Sequence, residues 1–190
     1  MVLTAATMSS PVGVLTLVAS DTGLRAVLWE NDDPSRVKLE IARRIDLDDE
    51  IHDVLSTTRF QLRCFFDDPS TSFSVPLEFV GTDFQCAVWQ ALRAIPVGET
   101  RSYGELAKQL APQLGRQTAA RAVGAANGRN PISIIAPCHR VIGGSGALTG
   151  FAGGLDAKAW LLKHEGAVLS SSVARSSSTT SVASQRSLFD

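Results

Sequence analysis

The chain has 190 residues, 44% of them hydrophobic, and its 18 Lys and Arg against 19 Asp and Glu leave a net charge of −1. No apolar run reaches the roughly 18 residues of a membrane-spanning helix, and Met1-Val2-Leu3-Thr4 lacks the basic start of a secretory signal, so a soluble cytoplasmic protein with no membrane partner is expected. Cys64, Cys86 and Cys138 are odd in number and lack C-x-x-C spacing, so they suggest neither a disulfide framework nor a cysteine-rich zinc site; Cys64 and Cys86 read as core.

The small net charge hides a division. Residues 1–81 carry 7 basic and 13 acidic side chains, whereas residues 82–165 carry 9 and 5, so the second stretch is the better place for a polyanion. Two small lobes and a tail are expected, with boundaries at 1–81, 82–166 and 167–190.

Alternating stretches at 2–8, 14–19 and 24–29, separated by Ser9-Ser10-Pro11-Val12-Gly13 and Asp21-Thr22-Gly23, predict strands of a small antiparallel sheet. Helices are predicted at about 35–45 and 51–67, followed by a strand or extended connection over 72–80, interrupted by Pro76. Thr82-x-x-Gln85 and Ser102-x-x-Glu105 have capping-box spacing and start helices at about 83–94 and 103–110, with Pro96-Val97-Gly98 between them. A helix at about 117–127 follows Pro112 to Gly115, and the pair 103–110 and 117–127 has helix-turn-helix dimensions. The second of these helices is almost free of large side chains around Arg121. Such a surface suits close approach to a neighbouring helix or to sugars and phosphates, with Arg121 entering the base stack. The glycines of 143–154 match neither a dinucleotide nor a phosphate-loop pattern. A final helix is predicted over 155–165 with Trp160 and Leu161 inward, and Ser/Thr-rich composition predicts disorder from 167 to about 184.

Within this frame one run carries chemistry. Pro137-Cys138-His139-Arg140-Val141 sets a thiol beside an imidazole, between apolar Ile134-Ile135-Ala136 and glycine-rich Gly143-Gly144-Ser145-Gly146. The thiolate is the nucleophilic form, and a basic neighbour raises its fraction, so Cys138 is the candidate nucleophile; its competing role is that of a small buried hydrophobe. Asn130, Tyr103, Arg121, His164 and Glu165 supply the remaining polar groups from which a base and an orienting acid can be drawn.

The ordered set Ser102-Tyr103-Gly104, Ala120-Arg121-Ala122-Val123-Gly124, Asn130-Pro131, Pro137-Cys138-His139-Arg140-Val141, Gly153-Gly154-Leu155 and Trp160-Leu161-Leu162-x-His164-Glu165 resembles the O6-alkylguanine-DNA alkyltransferases over about 82–166. Residues 1–81 resemble the family's ribonuclease-H-like lobe more loosely. The resemblance implies an α+β fold, with a small N-terminal lobe bearing an antiparallel sheet and a mainly helical C-terminal lobe bearing the helix-turn-helix. It implies an irreversible, single-turnover repair in which Cys138 takes the alkyl group from O6-alkylguanine after the nucleotide has turned out of double-stranded DNA, and it leaves activity on O4-alkylthymine open.

Carried over by position, Cys138, His139, Glu165 and Asn130 form the reactive network, with His139 taking the thiol proton through a water, Glu165 orienting the ring and Asn130 bracing the turn. Tyr103 would crowd the target phosphate and protonate the leaving guanine. Arg121, Ala119, Ala122 and Gly124 would contact DNA, and Val141, Phe151 and Ala152 would line the base pocket. No cofactor and no metal are expected, since residues 1–63 contain none of the cysteines of the family's zinc-binding version. Gln185-x-Ser187-Leu188-Phe189 resembles the short peptide that engages the bacterial sliding clamp, with Gln185, Leu188 and Phe189 as its anchors and Arg186 departing from the usual leucine; action as a monomer is expected. Two other classes compete: a cysteine hydrolase using Cys138, His139 and Glu165, which would turn over, and a lesion-sensing module that binds without removing the adduct.

Overall fold

The computed structural model describes residues 2–33, 35–115 and 117–168; the tail, with Gln185, Leu188 and Phe189, lies outside the described residues. Its N-terminal half is a four-stranded sheet in the order β3-β2-β1-β4, formed by β1 (Thr4–Ser10), β2 (Gly13–Ala19), β3 (Leu24–Trp29) and the short β4 (Arg43–Arg44). β1 and β2 pair antiparallel from Thr4↔Ala19 to Ser10↔Gly13, closed by a two-residue loop where Gly13 takes φ +102, a conformation that favours glycine. In β3 the register slips: Ala19 faces Leu24 but Val18 faces Ala26, which leaves Arg25 as the extra residue of a bulge.

The stretch 35–45 is not the expected helix. Val37, Leu39 and Ile41 recur every second residue, a strand period, and Leu39 and Ile41 cover the outer face of the sheet against Leu3, Ala5, Val18 and Ala26 before Arg43 and Arg44 pair parallel with β1. Residues 72–80 are the extended connection foreseen for them, running beside β3 through Leu24 N→Pro76 O and Glu78 N→Leu24 O, both 2.8 Å.

On the inner face α1 (Asp53–Asp67) buries Leu55, Leu62 and Phe65 against Leu15, Leu17, Val27 and Trp29, and the same core takes Leu161 of the last helix, α5 (Gly154–His164). A second core gathers α2 (Asp83–Arg93), α3 (Tyr103–Leu114) and α4 (Ala120–Gly128) around Val88, Leu92, Leu106, Leu110 and Val123. Both predicted capping boxes form in full, at Thr82/Gln85 and Ser102/Glu105, satisfying two orphan N–H groups at each helix start. α3 runs past its expected end, carrying Pro112 in its last turn and stopping at Gly115, whose φ of +61 makes a left-handed cap. Among the described residues no helix is long and apolar enough to cross a membrane.

The segment 130–142 joins the two cores. Ile132, Ile134 and Ile135 belong to the sheet core, whereas Cys138 and Val141 belong to the helical core. It is stitched to the sheet by Val27 N→Pro131 O at 2.9 Å and to the helical half by β6 (Val141–Ile142), which pairs parallel with β5 (Arg101–Ser102).

Candidate active site

The joining segment turns sharply, and a buried amide holds the turn. Asn130 is fully buried; its Nδ2 donates to Ala136 O at 2.7 Å while its Oδ1 accepts from Ile132 N at 3.1 Å, so one side chain clamps both ends of the bend. Within the bend Ile134 takes φ +72, a costly conformation for a β-branched residue that persists only where its surroundings over-determine it. Cys138 then opens a single 3-10 turn, Cys138–Arg140, in which successive side chains point about 120° apart. The thiol and the neighbouring imidazole therefore leave the backbone in different directions.

His139 and Glu165 are both buried, and His139 Nε2 lies 2.8 Å from Glu165 Oε1. Arg140 grips the same carboxylate with two bonds, Nε to Oε2 and Nη2 to Oε1, each 2.8 Å. Burial works to raise the Glu165 pKa, but the hydrogen bonds from His139 and Arg140 and their charges overcome it and hold the group at about 2. An ionised carboxylate only accepts, so Nε2 of His139 carries the hydrogen and donates it. Nδ1 is then the basic nitrogen, buried and left by the protein's own groups without a hydrogen-bond partner among the described residues. Desolvation pushes the His139 pKa below its ordinary value despite Glu165, which keeps the ring neutral and able to accept a proton.

The thiol departs from the expectation of ready ionisation. Cys138 is 4% exposed, and burial pushes its pKa up, outweighing the opposing influences of Asn130, Arg36, Lys158 and Ser133. The resting form is the thiol, so the reaction has to include removal of its proton.

Around this network the structure places Val141 buried beside Cys138 in the helical core. Phe151 packs edge-on against Trp29 at 5.2 Å and faces the His139 ring at 6.4 Å, with Ala152 half-buried behind it. Tyr103, half-buried at the start of α3, packs beside Gly124 of α4, and burial raises its pKa. Ala119, Arg121 and Ala122 are exposed on the outer side of α4, apart from the buried network. His164 is not part of the network: its Nε2 bonds Phe65 O at 2.8 Å and its ring stacks on Trp160 at 4.8 Å. Cys64 and Cys86 are only partly buried. Among the described residues no three His, Cys, Asp or Glu side chains converge as metal ligands would.

Four further residues support the site, of which Arg140 stood in the motif without a role. Arg140 secures Glu165, as above. Lys158 is fully buried, with Nζ donating to Val141 O at 2.6 Å and Thr149 O at 2.8 Å, and desolvation lowers its pKa to about 8 against the favourable influence of Cys138. From the sheet half, Trp29 Nε1 donates to Ser133 Oγ at 3.1 Å, and Arg36 donates to the Asn130 carbonyl while paired with Asp32. Apart from the motif at Arg140, a signal existed for Lys158, which sits three and four positions before the inward Leu161 and Leu162.

Residues 3–79 match the family described as 6-O-methylguanine DNA methyltransferase, ribonuclease-like domain, and residues 83–167 match 6-O-methylguanine DNA methyltransferase, DNA binding domain. The chain is 46% identical over 161 residues to a methylated-DNA--protein-cysteine methyltransferase of Methanosarcina acetivorans, covering 85% of this chain and 97% of that relative. It is 47% identical over 162 residues to the like-named protein of Mycobacterium tuberculosis, covering 84% and 90%. The M. tuberculosis OGT solved in complex with DNA superposes with a TM-score of 0.69 at 44% identity, covering 86% of this chain and 92% of that one. The O6-methylguanine-DNA methyltransferase of Pyrococcus kodakaraensis, at 23% identity and a TM-score of 0.55, shares the fold.

Proposed function

The chain belongs to the 6-O-methylguanine DNA methyltransferase family and repairs DNA directly by moving an alkyl group onto one of its own cysteines, and we propose that the acceptor is Cys138, served by His139, Glu165 and Asn130. The observation that carries this assignment is the unpartnered, buried Nδ1 of His139, held as a base by the Nε2–H bond to an ionised Glu165 one residue from a buried thiol.

The thiol proton passes to His139 Nδ1 through an intervening water, since the two side chains diverge, and Glu165 stabilises the imidazolium. The thiolate attacks the alkyl carbon of O6-alkylguanine; an S–C bond forms as the C–O6 bond breaks, and the electron pair leaves on guanine. Tyr103 donates a proton to that guanine and is reprotonated at the expense of the imidazolium, which restores neutral His139. The thioether offers water no acyl carbon, so the protein acts once. The target nucleotide reaches the thiol only after rotating out of the duplex, at a cost of a few kcal/mol, with Arg121 filling the gap and Ala119, Ala122 and Gly124 letting α4 approach the backbone. Val141, Phe151 and Ala152 line the pocket that receives the base.

This assignment puts the chemistry in 82–166 and makes 1–81 its scaffold, with Arg36 and Trp29 bracing the 130–136 turn. Monomeric action in the cytoplasm, where thiols stay reduced, belongs to the same proposal, as does docking of Gln185, Leu188 and Phe189 on the sliding clamp. The test is intact mass after incubation with duplex bearing O6-methylguanine. Replacement of one thiol hydrogen by methyl on the Cys138 peptide, absent in Cys138→Ser, is expected; an unmodified protein, or methyl on Cys64 or Cys86, refutes the assignment.

A further inference from the structure

The N-terminal lobe is acidic, with 7 basic against 13 acidic side chains over residues 1–81, yet three of those seven, Arg25, Arg36 and Lys38, converge on one cleft. The cleft, of about 440 Å³, lies where the lobes meet; Arg129 enters it from the helical side, and Trp89 and Pro131 are buried residues of its lining. No acidic side chain lines it.

The four cations are of two kinds. Arg36 is held by Asp32 and by the Asn130 carbonyl, and Arg25, the extra residue of the β3 bulge, lies 3.7 Å from Glu78. A bulge re-aims the side chain it carries, and here that side chain lines the cleft. Lys38 and Arg129 are exposed, and neither makes an ion pair or side-chain hydrogen bond among the described residues. With Asp32 and Glu78 taken up by the two anchored arginines, Lys38 and Arg129 leave a positive excess at one concave place, a surface that concentrates polyanions. Its position specifies which polyanion. Arg129 is the residue that ends α4, the helix whose exposed Ala119, Arg121 and Ala122 face the duplex in the function proposed above.

We propose that this cleft is a second phosphate-binding surface, on which Lys38 and Arg129 hold the DNA backbone beyond the footprint of α4 and draw the N-terminal lobe into the complex. The inference rests on the DNA-repair function and extends it. Phosphate contacts position a protein without reading sequence and release counterions, so each one steepens the salt dependence of binding by about one unit of the log–log slope.

The experiment uses the full chain and the variants Lys38→Gln plus Arg129→Gln and Lys38→Glu plus Arg129→Glu, titrated against a duplex just covering α4 and against a longer one, over a salt series. On the long duplex the glutamine pair should weaken binding on the order of tenfold at low salt and reduce the slope by about 2, and the glutamate pair should weaken it further. Binding to the short duplex and the rate of Cys138 alkylation by a free O6-alkylated guanine base should stay unchanged. Wild-type slope and affinity on the long duplex overturn the proposal, and so does an equal loss on both duplexes, which marks diffuse charge. Loss of alkylation of the wild-type chain by the free base would count against the assigned chemistry instead, so the two failures are separable.

Discussion

The buried network around Cys138 and the exposed face of α4 solve opposite problems. In the first, His139, Glu165, Arg140, Asn130 and Lys158 are removed from water, and their polar atoms are almost all paired, so the single unpartnered group, His139 Nδ1, is conspicuous and basic. In the second, Ala119, Ala122 and Arg121 stay solvated, the surface that the proposed function turns toward the duplex. One region is closed to water, and the other is open to it on a helix whose opposite side, at Val123 and Ala126, is packed in the core. Substitutions in the first should therefore damage stability and chemistry together, whereas those in the second should damage only the reaction that needs a duplex.

The largest effect is expected for Glu165→Gln, which leaves Arg140 without its counter-charge and frees the His139 tautomer. Loss of one partner of a buried pair costs about 3–5 kcal/mol, and loss of an oriented base about a hundredfold to ten-thousandfold in rate. Chemical denaturation and single-turnover alkylation by free base measure the two, and a stable variant with normal rate would show that the carboxylate organises nothing.

Acid should act through the same residue. The folded Glu165 pKa is about 2 against an ordinary 4.5, so its contribution is complete above about pH 4.5 and disappears as pH falls toward 2, a loss of roughly 3 kcal/mol. His139 adds in the same direction: its folded pKa lies below 6.5, the unfolded chain binds its proton first, and stability falls as pH drops below that value. Denaturant midpoints from pH 8 to pH 3 should fall throughout, and Glu165→Gln should flatten the steepest part.

The smallest and most selective effect is expected at Arg121→Ala. Repair of duplex should slow about tenfold to a hundredfold, the equivalent of a few kcal/mol spent on unstacking, while stability and reaction with free base stay as they were. Equal losses on both substrates would remove the distinction between the two regions.

Much of this was legible before folding because its causes lie within a few residues of one another. The capping boxes at Thr82 and Ser102 and the strand over Leu24–Trp29 are local patterns, and they formed where their residue types predict. The 35–45 stretch has a period of two at Val37, Leu39 and Ile41, and the face it covers, Leu3, Ala5, Val18 and Ala26, is built from distant strands, so its neighbours in sequence do not define its structure. The identity of Cys138, His139 and Glu165 as candidates came from the motif, but their protonation states did not. A thiol read as ready to ionise is a thiol held neutral by burial, and burial is a property of the assembled core.

Residue order along the chain established the helix starts, the turns and the thiol–imidazole pair, all consequences of covalent neighbours. Only packing brought Arg140 and His139 onto one carboxylate at Glu165, sank Lys158 beneath Val141 and Thr149, carried Arg36 to the Asn130 carbonyl and turned Arg25 and Arg129 to a common cleft. Those contacts join segments up to a hundred positions apart, and their energies depend on water exclusion, which no local stretch of sequence contains.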